Sequence, residues 1–226
     1  MIPDDESLRG RMKHLRRALF CYLSVCGAVL GQTGPAAANE VTVAVVDDTG
    51  APVRDAVVSF TSPDPALNVA ADRGQAVMVQ QNKEFAPHIL PVRTGAIVRF
   101  PNRDEFRHSV YSFSKPKIFQ FNLYGGDEEK KEIFDKPGVV ALGCNIHDNM
   151  LAYIFVLDTD NFAQTGEDGA ASFGALQPGR YKVAVWHPRQ RAEVPVQDIA
   201  LVPGHALTAS FRLPLKPPAP PRGVPQ

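Results

Sequence analysis

The chain has 226 residues, 44% of them apolar, with 24 basic and 24 acidic side chains. This length accommodates one large or two small domains. A formal net charge of zero offers no basic surface for nucleic acid and no attraction to a strongly anionic membrane.

Residues 1–38 read as a leader and not as part of the fold. Arg9, Arg11, Lys13, Arg16 and Arg17 form a basic region, the run "ALFCYLSVCGAVL" is apolar, and Ala36 and Ala38 are the small residues before a cut. That order is a secretory signal cleaved near Ala38, which implies the periplasm. The apolar run has 13 residues, against about 20 for a membrane-spanning helix. No stable membrane insertion is expected; an uncleaved anchor is the alternative. Met12 is an alternative start, and Cys26 in "LSVC" resembles a lipoprotein site only loosely because Val25 is bulky. Cleavage removes Cys21 and Cys26 and leaves Cys144 alone. An exported lone thiol has no internal disulfide partner and is open to oxidation unless buried or occupied.

The remainder reads as all-β. Runs rich in β-formers recur in chain order: "VTVAVV", "AVVSF", "AIVRF", "HSVYSF", "GVVAL", "LAYIFVL" and "YKVAVW". Turn residues separate them in "DDTGAP", "PNRD", "YGGD", "KPG" and "QPG". Regularly spaced strands with turns predict sandwiches or barrels. No long amphipathic helix with a 3.6-residue period is present in the pattern. "DEEKKE" (127–132) reads as a solvated loop or a charged edge strand. The tail 215–226 is proline-rich and reads as an extended, disordered end.

Two kinds of segment are distinguishable. The outer pieces are residues 39–74, read as a first hairpin plus linker, and residues 159–214, read as strand, "QPG" turn, strand. Gly50, Pro52, Val53, Ala56 and Val58, then Asp168, Gly169, Phe173, Leu176, Pro178, Gly179 and Tyr181, resemble the two halves of a carboxypeptidase-regulatory-like or Cna-B-like Ig sandwich. The inner segment, residues 75–158, reads as a second sandwich inserted into the first, or as a neighbour that borrows the first hairpin.

The inner segment carries the chemistry in "CNIHDNM". Cys144, His147 and Met150 have the spacing C-x-x-H-x-x-M, and thiolate, imidazole and thioether together suit copper. A blue-copper set needs a second imidazole. One short loop cannot surround a metal, so it must come from another strand, and His108 in "FPNRDEFRHSVYSF" supplies it. The plainer reading is a buried cysteine, a surface histidine and a core methionine. His88 in "FAPHILPV" competes as an auxiliary contact or an alternative to His108, against a plain strand histidine. His187 reads as structural or surface, His205 as solvated, and Asn102 and Asp104 as turn formers.

With these residues in place, 75–158 resembles a cupredoxin of the amicyanin or plastocyanin type, a Greek-key β-sandwich carrying one copper ion. The resemblance implies His108, Cys144 and His147 as equatorial ligands and Met150 as the axial one. It implies single-electron transfer with a redox protein, a cytochrome c or a dehydrogenase or oxidase. The chain as a whole resembles the exported plastocyanin-like proteins called methylamine utilization proteins, a name that sets no function by itself. Ser109 stands where plastocyanin and azurin have an asparagine that tethers the ligand loop; its shorter reach leaves that tether open. Four protein donors leave no place for a substrate, so no catalysis is expected. The rival readings are a copper carrier or buffer and an interaction module that binds no metal.

Overall fold

The computed structural model describes residues 39–69 and 76–217. Residues 1–38, read from the sequence as a leader and including Cys21 and Cys26, residues 70–75 and residues 218–226 lie outside the described residues.

The strands, in chain order, are β1 (Asn39–Asp47), β2 (Val57–Thr61), β3 (Ala76–Val77), β4 (Val79–Gln81), β5 (Glu84–Ala86) and β6 (Ile89–Arg93). Then come β7 (Ala96–Pro101), β8 (His108–Ser114), β9 (Lys117–Tyr124), β10 (Glu129–Phe134), β11 (Gly138–Gly143) and β12 (Leu151–Leu157). The last are β13 (Phe162–Gln164), β14 (Ala170–Leu176), β15 (Gly179–Trp186), β16 (Gln197–Leu201) and β17 (Leu207–Leu213). The helical content of the described residues is one 3₁₀ turn, Pro65–Asn68. No helix among them is long and apolar enough to cross a membrane.

The fold is all-β and builds two sandwiches. In the first, the sheet β14-β1-β17 faces the sheet β13-β2-β15-β16. Alternate residues Val41, Val43 and Val45 of β1 point inward, as period-2 geometry requires. They meet Val58 and Phe60 of β2 and Val183 and Val185 of β15 in one core. The Phe60 ring sits edge-on to Phe173 at 4.7 Å and to Tyr181 at 5.9 Å.

β1 and β2 do not form the expected hairpin: the two strands lie in different sheets. The turn after Asp47 reverses the chain, since its carboxylate accepts from the Thr49 and Ala51 amides, but pairing ends at one bridge, Val46 to Pro52. The backbone then takes a left-handed step at Asp55 (φ 59°) and crosses over. Val43 and Val45 of β1 meet Val58 and Phe60 of β2 across the core, in the manner of facing sheets. β14 and β15 are divided in the same way across the "QPG" turn, and β1 takes β17 as a parallel partner. Leu215, expected to open the extended tail, instead bridges Gln190 and packs on this core.

The second sandwich faces the sheet β6-β12-β11-β8-β9 against β10-β7-β3. Val110, Val140, Leu142 and Ile154 from one sheet meet Val98, Phe100 and Phe134 from the other. Phe100 is fully buried, with Phe119, Phe121 and Phe134 at 5.9, 5.7 and 6.5 Å between centroids. Each such side chain contributes about 1.5–3 kcal/mol. "DEEKKE" lies largely on β10, at the sheet edge, where charge discourages pairing with a second chain.

β12 joins the two cores. Its inward side chains, Ala152, Ile154 and Val156, belong to the second core. On its other side Leu157 packs with Ile89, Val57 and Phe162, and the Trp186 ring lies 4.9 Å from Phe155. Val57 and Val58 are therefore both buried, on opposite faces of β2.

Candidate metal centre

The donors come from two strand ends. His108 opens β8, and Cys144 follows β11, which reaches β8 through the pair Gly143–Tyr111. A Cβ on Gly143 would lie 2.6 Å from the Tyr111 ring, so only glycine lets that ring cover the strand end. The chain then turns tightly through His147, whose carbonyl accepts from the Met150 amide at 3.0 Å, and re-enters as β12. This brief turn puts imidazole, thiol and thioether at one end of the sandwich.

One ring nitrogen each of His108 and His147 and the sulfur of Cys144 lie within 4.8 Å of one another. His108 Nδ1 is 3.9 Å from Cys144 Sγ, and the two imidazoles are 5.0 Å apart between centroids. His108 is fully buried, and Cys144 and Met150 are buried in the second core. His147 Nδ1 is buried and has no hydrogen-bond partner among the described residues. A buried polar atom without a partner is costly, and a metal ion among these donors would occupy it. Thiolate, two imidazoles and a thioether are the donors copper takes in electron-transfer sites, so the residues fit that ion.

The surroundings hold the donors from both sides. Ser109, on β8, is 2% exposed. Its hydroxyl accepts from the Asn145 amide at 2.9 Å and lies 3.8 Å from Cys144 Sγ. The tether left open by the sequence is thus made by the shorter side chain. Asp104 exceeds the role of turn former: its carboxylate accepts from His108 Nε2 at 2.8 Å. Burial works to raise the Asp104 carboxyl, but the Lys83 amide, His108 and the Asn82 amide outweigh it, and its pKa falls below the usual range. Burial and the neighbouring His108 and Lys83 lower the pKa of His147, which keeps that ring neutral and able to ligate.

The other singled-out residues lie elsewhere. His88 is in the bend between β5 and β6, not on a strand, and its Nδ1 is 3.1 Å from the Leu151 carbonyl. It is not in the donor cluster. His187 is buried beside Trp186, with Nδ1 accepting from the Arg189 amide, and His205 is exposed. Asn102 is a buried turn former whose Oδ1 accepts from the Asp104 amide. Sequence reasoning assigned no site role to Asp104; the signal available was a carboxylate four residues before a candidate ligand.

No family model matches the chain, and no curated protein matches it. Among solved structures it is similar to a purple cupredoxin from Nitrosopumilus maritimus, at 18% identity, 37% of this chain, 100% of that one and TM-score 0.33. It is similar to the reduced Cu(I) form of an amicyanin mutant at pH 4, at 18% identity, 44% of this chain, 98% of that one and TM-score 0.35. A Cu-containing nitrite reductase from Thermus scotoductus is similar at 24% identity and TM-score 0.36; the match spans 51% of this chain and 28% of that one.

Proposed function

We propose that this chain is an exported type 1 copper protein that carries single electrons between redox proteins. His108, Cys144, His147 and Met150 would hold the ion. The observation that carries the reading is the cluster of two imidazoles and the one cysteine of the described residues within 4.8 Å, together with a buried, unpartnered Nδ1 on His147. Copper held by this set supplies a one-electron Cu(I)/Cu(II) couple. The chain's own residues do the rest. Burial of Cys144 and His108 keeps water and oxidants from the thiolate. Strands β8 and β11 and the Ser109 tether hold the donors in a fixed arrangement. Four donors leave no position for a substrate, in keeping with a carrier and not a catalyst.

The way in and out for the electron is the partly exposed His147. Ile146 beside it is 50% exposed and Leu151, where the loop ends, is 44% exposed. A small apolar face suits a brief encounter with a cytochrome c or a dehydrogenase or oxidase. Export rests on the basic region, apolar run and small residues of 1–38.

The test is an absorption spectrum of the mature protein after addition of Cu(II). An intense visible thiolate-to-copper band, absent in Cys144→Ser, is the expected result. Weak d–d absorption alone would exclude the type 1 assignment. Retention of Cu(I) against a chelator through redox cycling separates an electron carrier from a copper buffer, which would release it. A protein that takes no copper would be left as an interaction module.

A further inference from the structure

The Asp104 carboxylate is held by two backbone amides as well as by His108. Its Oδ1 accepts from the Asn82 amide at 2.7 Å, and its Oδ2 accepts from the Lys83 amide at 2.9 Å and from His108 Nε2 at 2.8 Å. Asn82 and Lys83 form the tip between β4 and β5, both left-handed at φ 57°. Paired left-handed residues are the hairpin turn that matches strand twist, and here it aims two successive amides at one carboxylate. The backbone carrying Asp104 is fixed as well. Asn102 accepts from the Asp104 amide and donates to the carbonyls of Phe106 and Tyr124, at 2.7 and 3.0 Å. The Arg103 amide donates to the Gln80 carbonyl at 2.8 Å. The Asp104 side chain is 11% exposed and that of His108 is 0% exposed, so water has little access to this bond.

We infer that Asp104 is a positioning residue for His108, one that fixes which ring nitrogen is free and weights the centre toward the oxidised ion. An ionised carboxylate accepts only, so the ring proton must sit on Nε2. That leaves the lone pair on Nδ1, the nitrogen 3.9 Å from Cys144 Sγ. A carboxylate on the outer nitrogen of a metal-ligating histidine orients the ring and raises its basicity. Its negative charge in a poorly solvated place also favours Cu(II) over Cu(I). The electronic half of this inference rests on the copper reading above; the tautomer half does not.

Two variants separate the effects. Asp104→Asn is nearly isosteric and retains an acceptor oxygen but no charge; Asp104→Ala removes both. In the metal-free protein, ring-nitrogen NMR of His108 should report Nε2–H in the parent and in Asp104→Asn. In Asp104→Ala the spectrum should become a mixture of tautomers. In the copper-loaded protein, Asp104→Asn should keep its colour while the preference for Cu(II) over Cu(I) falls about tenfold. For one electron that is an upward shift of about 59 mV in potential. An Nδ1–H tautomer in the parent overturns the proposal, as does a potential unchanged in both variants. If the parent takes no copper, the copper reading fails, and the NMR result alone decides whether Asp104 sets the ring.

Discussion

Removal of the Ser109 hydroxyl tests whether the Cys144–Met150 loop is tied down in the metal-free protein. Ser109→Ala deletes the acceptor of the Asn145 amide, a 2.9 Å bond, and the weaker contact to Cys144 Sγ at 3.8 Å. A stranded backbone donor costs about 1–3 kcal/mol. Ser109 is buried, but Asn145 is exposed, so water can reach that amide once the loop moves. The loss therefore falls in the lower half of the range, about 1.5 kcal/mol. For a protein of this size that is roughly 3–6 °C in Tm. Thermal unfolding of the metal-free protein, followed by circular dichroism, reads the shift, and hydrogen exchange at the Asn145 amide reads its location. An unaltered Tm together with unaltered exchange at Asn145 would refute the claim that Ser109 ties β8 to the loop.

The remaining expectations concern the axial donor, the docking face, acid stability and the autonomy of the second sandwich. Met150→Gln should retain copper and lower the potential, because an oxygen donor favours Cu(II); an unmoved spectrum and potential would remove Met150 from the ligands. Ile146→Glu should slow transfer to a redox partner with the spectrum unchanged, since Ile146 is 50% exposed beside His147; an unaltered rate would put docking elsewhere. Burial, then Arg189, depresses His187 from 6.5 to about 4. Below the unfolded value the unfolded chain takes up a proton that the folded one refuses, so stability is full above pH 6.5 and is lost as pH falls toward 4. His187→Gln should flatten that loss, on the order of 2–3 kcal/mol, in urea titrations at stepped pH. A fragment of residues 75–158 should fold alone and bind copper, with its exposed β12 face lowering its solubility; an unfolded fragment beside a folded 39–158 would show that the early strands belong with the second core.

Local chemistry was legible in the amino-acid sequence alone. Alternation of valines marks β1, glycine and proline mark the turns, and the seven residues from Cys144 to Met150 form the tight turn between β11 and β12. His108, named from the sequence as a histidine on another strand, lies beside Cys144 and His147 in the structure. What only the tertiary structure decided is every relation made between distant segments. Period-2 patterning says which face of a strand is apolar but not which strand lies beside it, so β1 and β2 read as a hairpin when they face each other across the core. The same limit hid the parallel pairing of β1 with β17 and the burial of β2 on both faces. Whether the short Ser109 side chain reaches the Asn145 amide depends on strand spacing at the β8–β11 junction, a length set by the packed sheet. Asp104 looked like one more turn residue, because its second partner, the left-handed tip at Asn82 and Lys83, lies some twenty residues earlier in the chain and meets it only once the sandwich has closed.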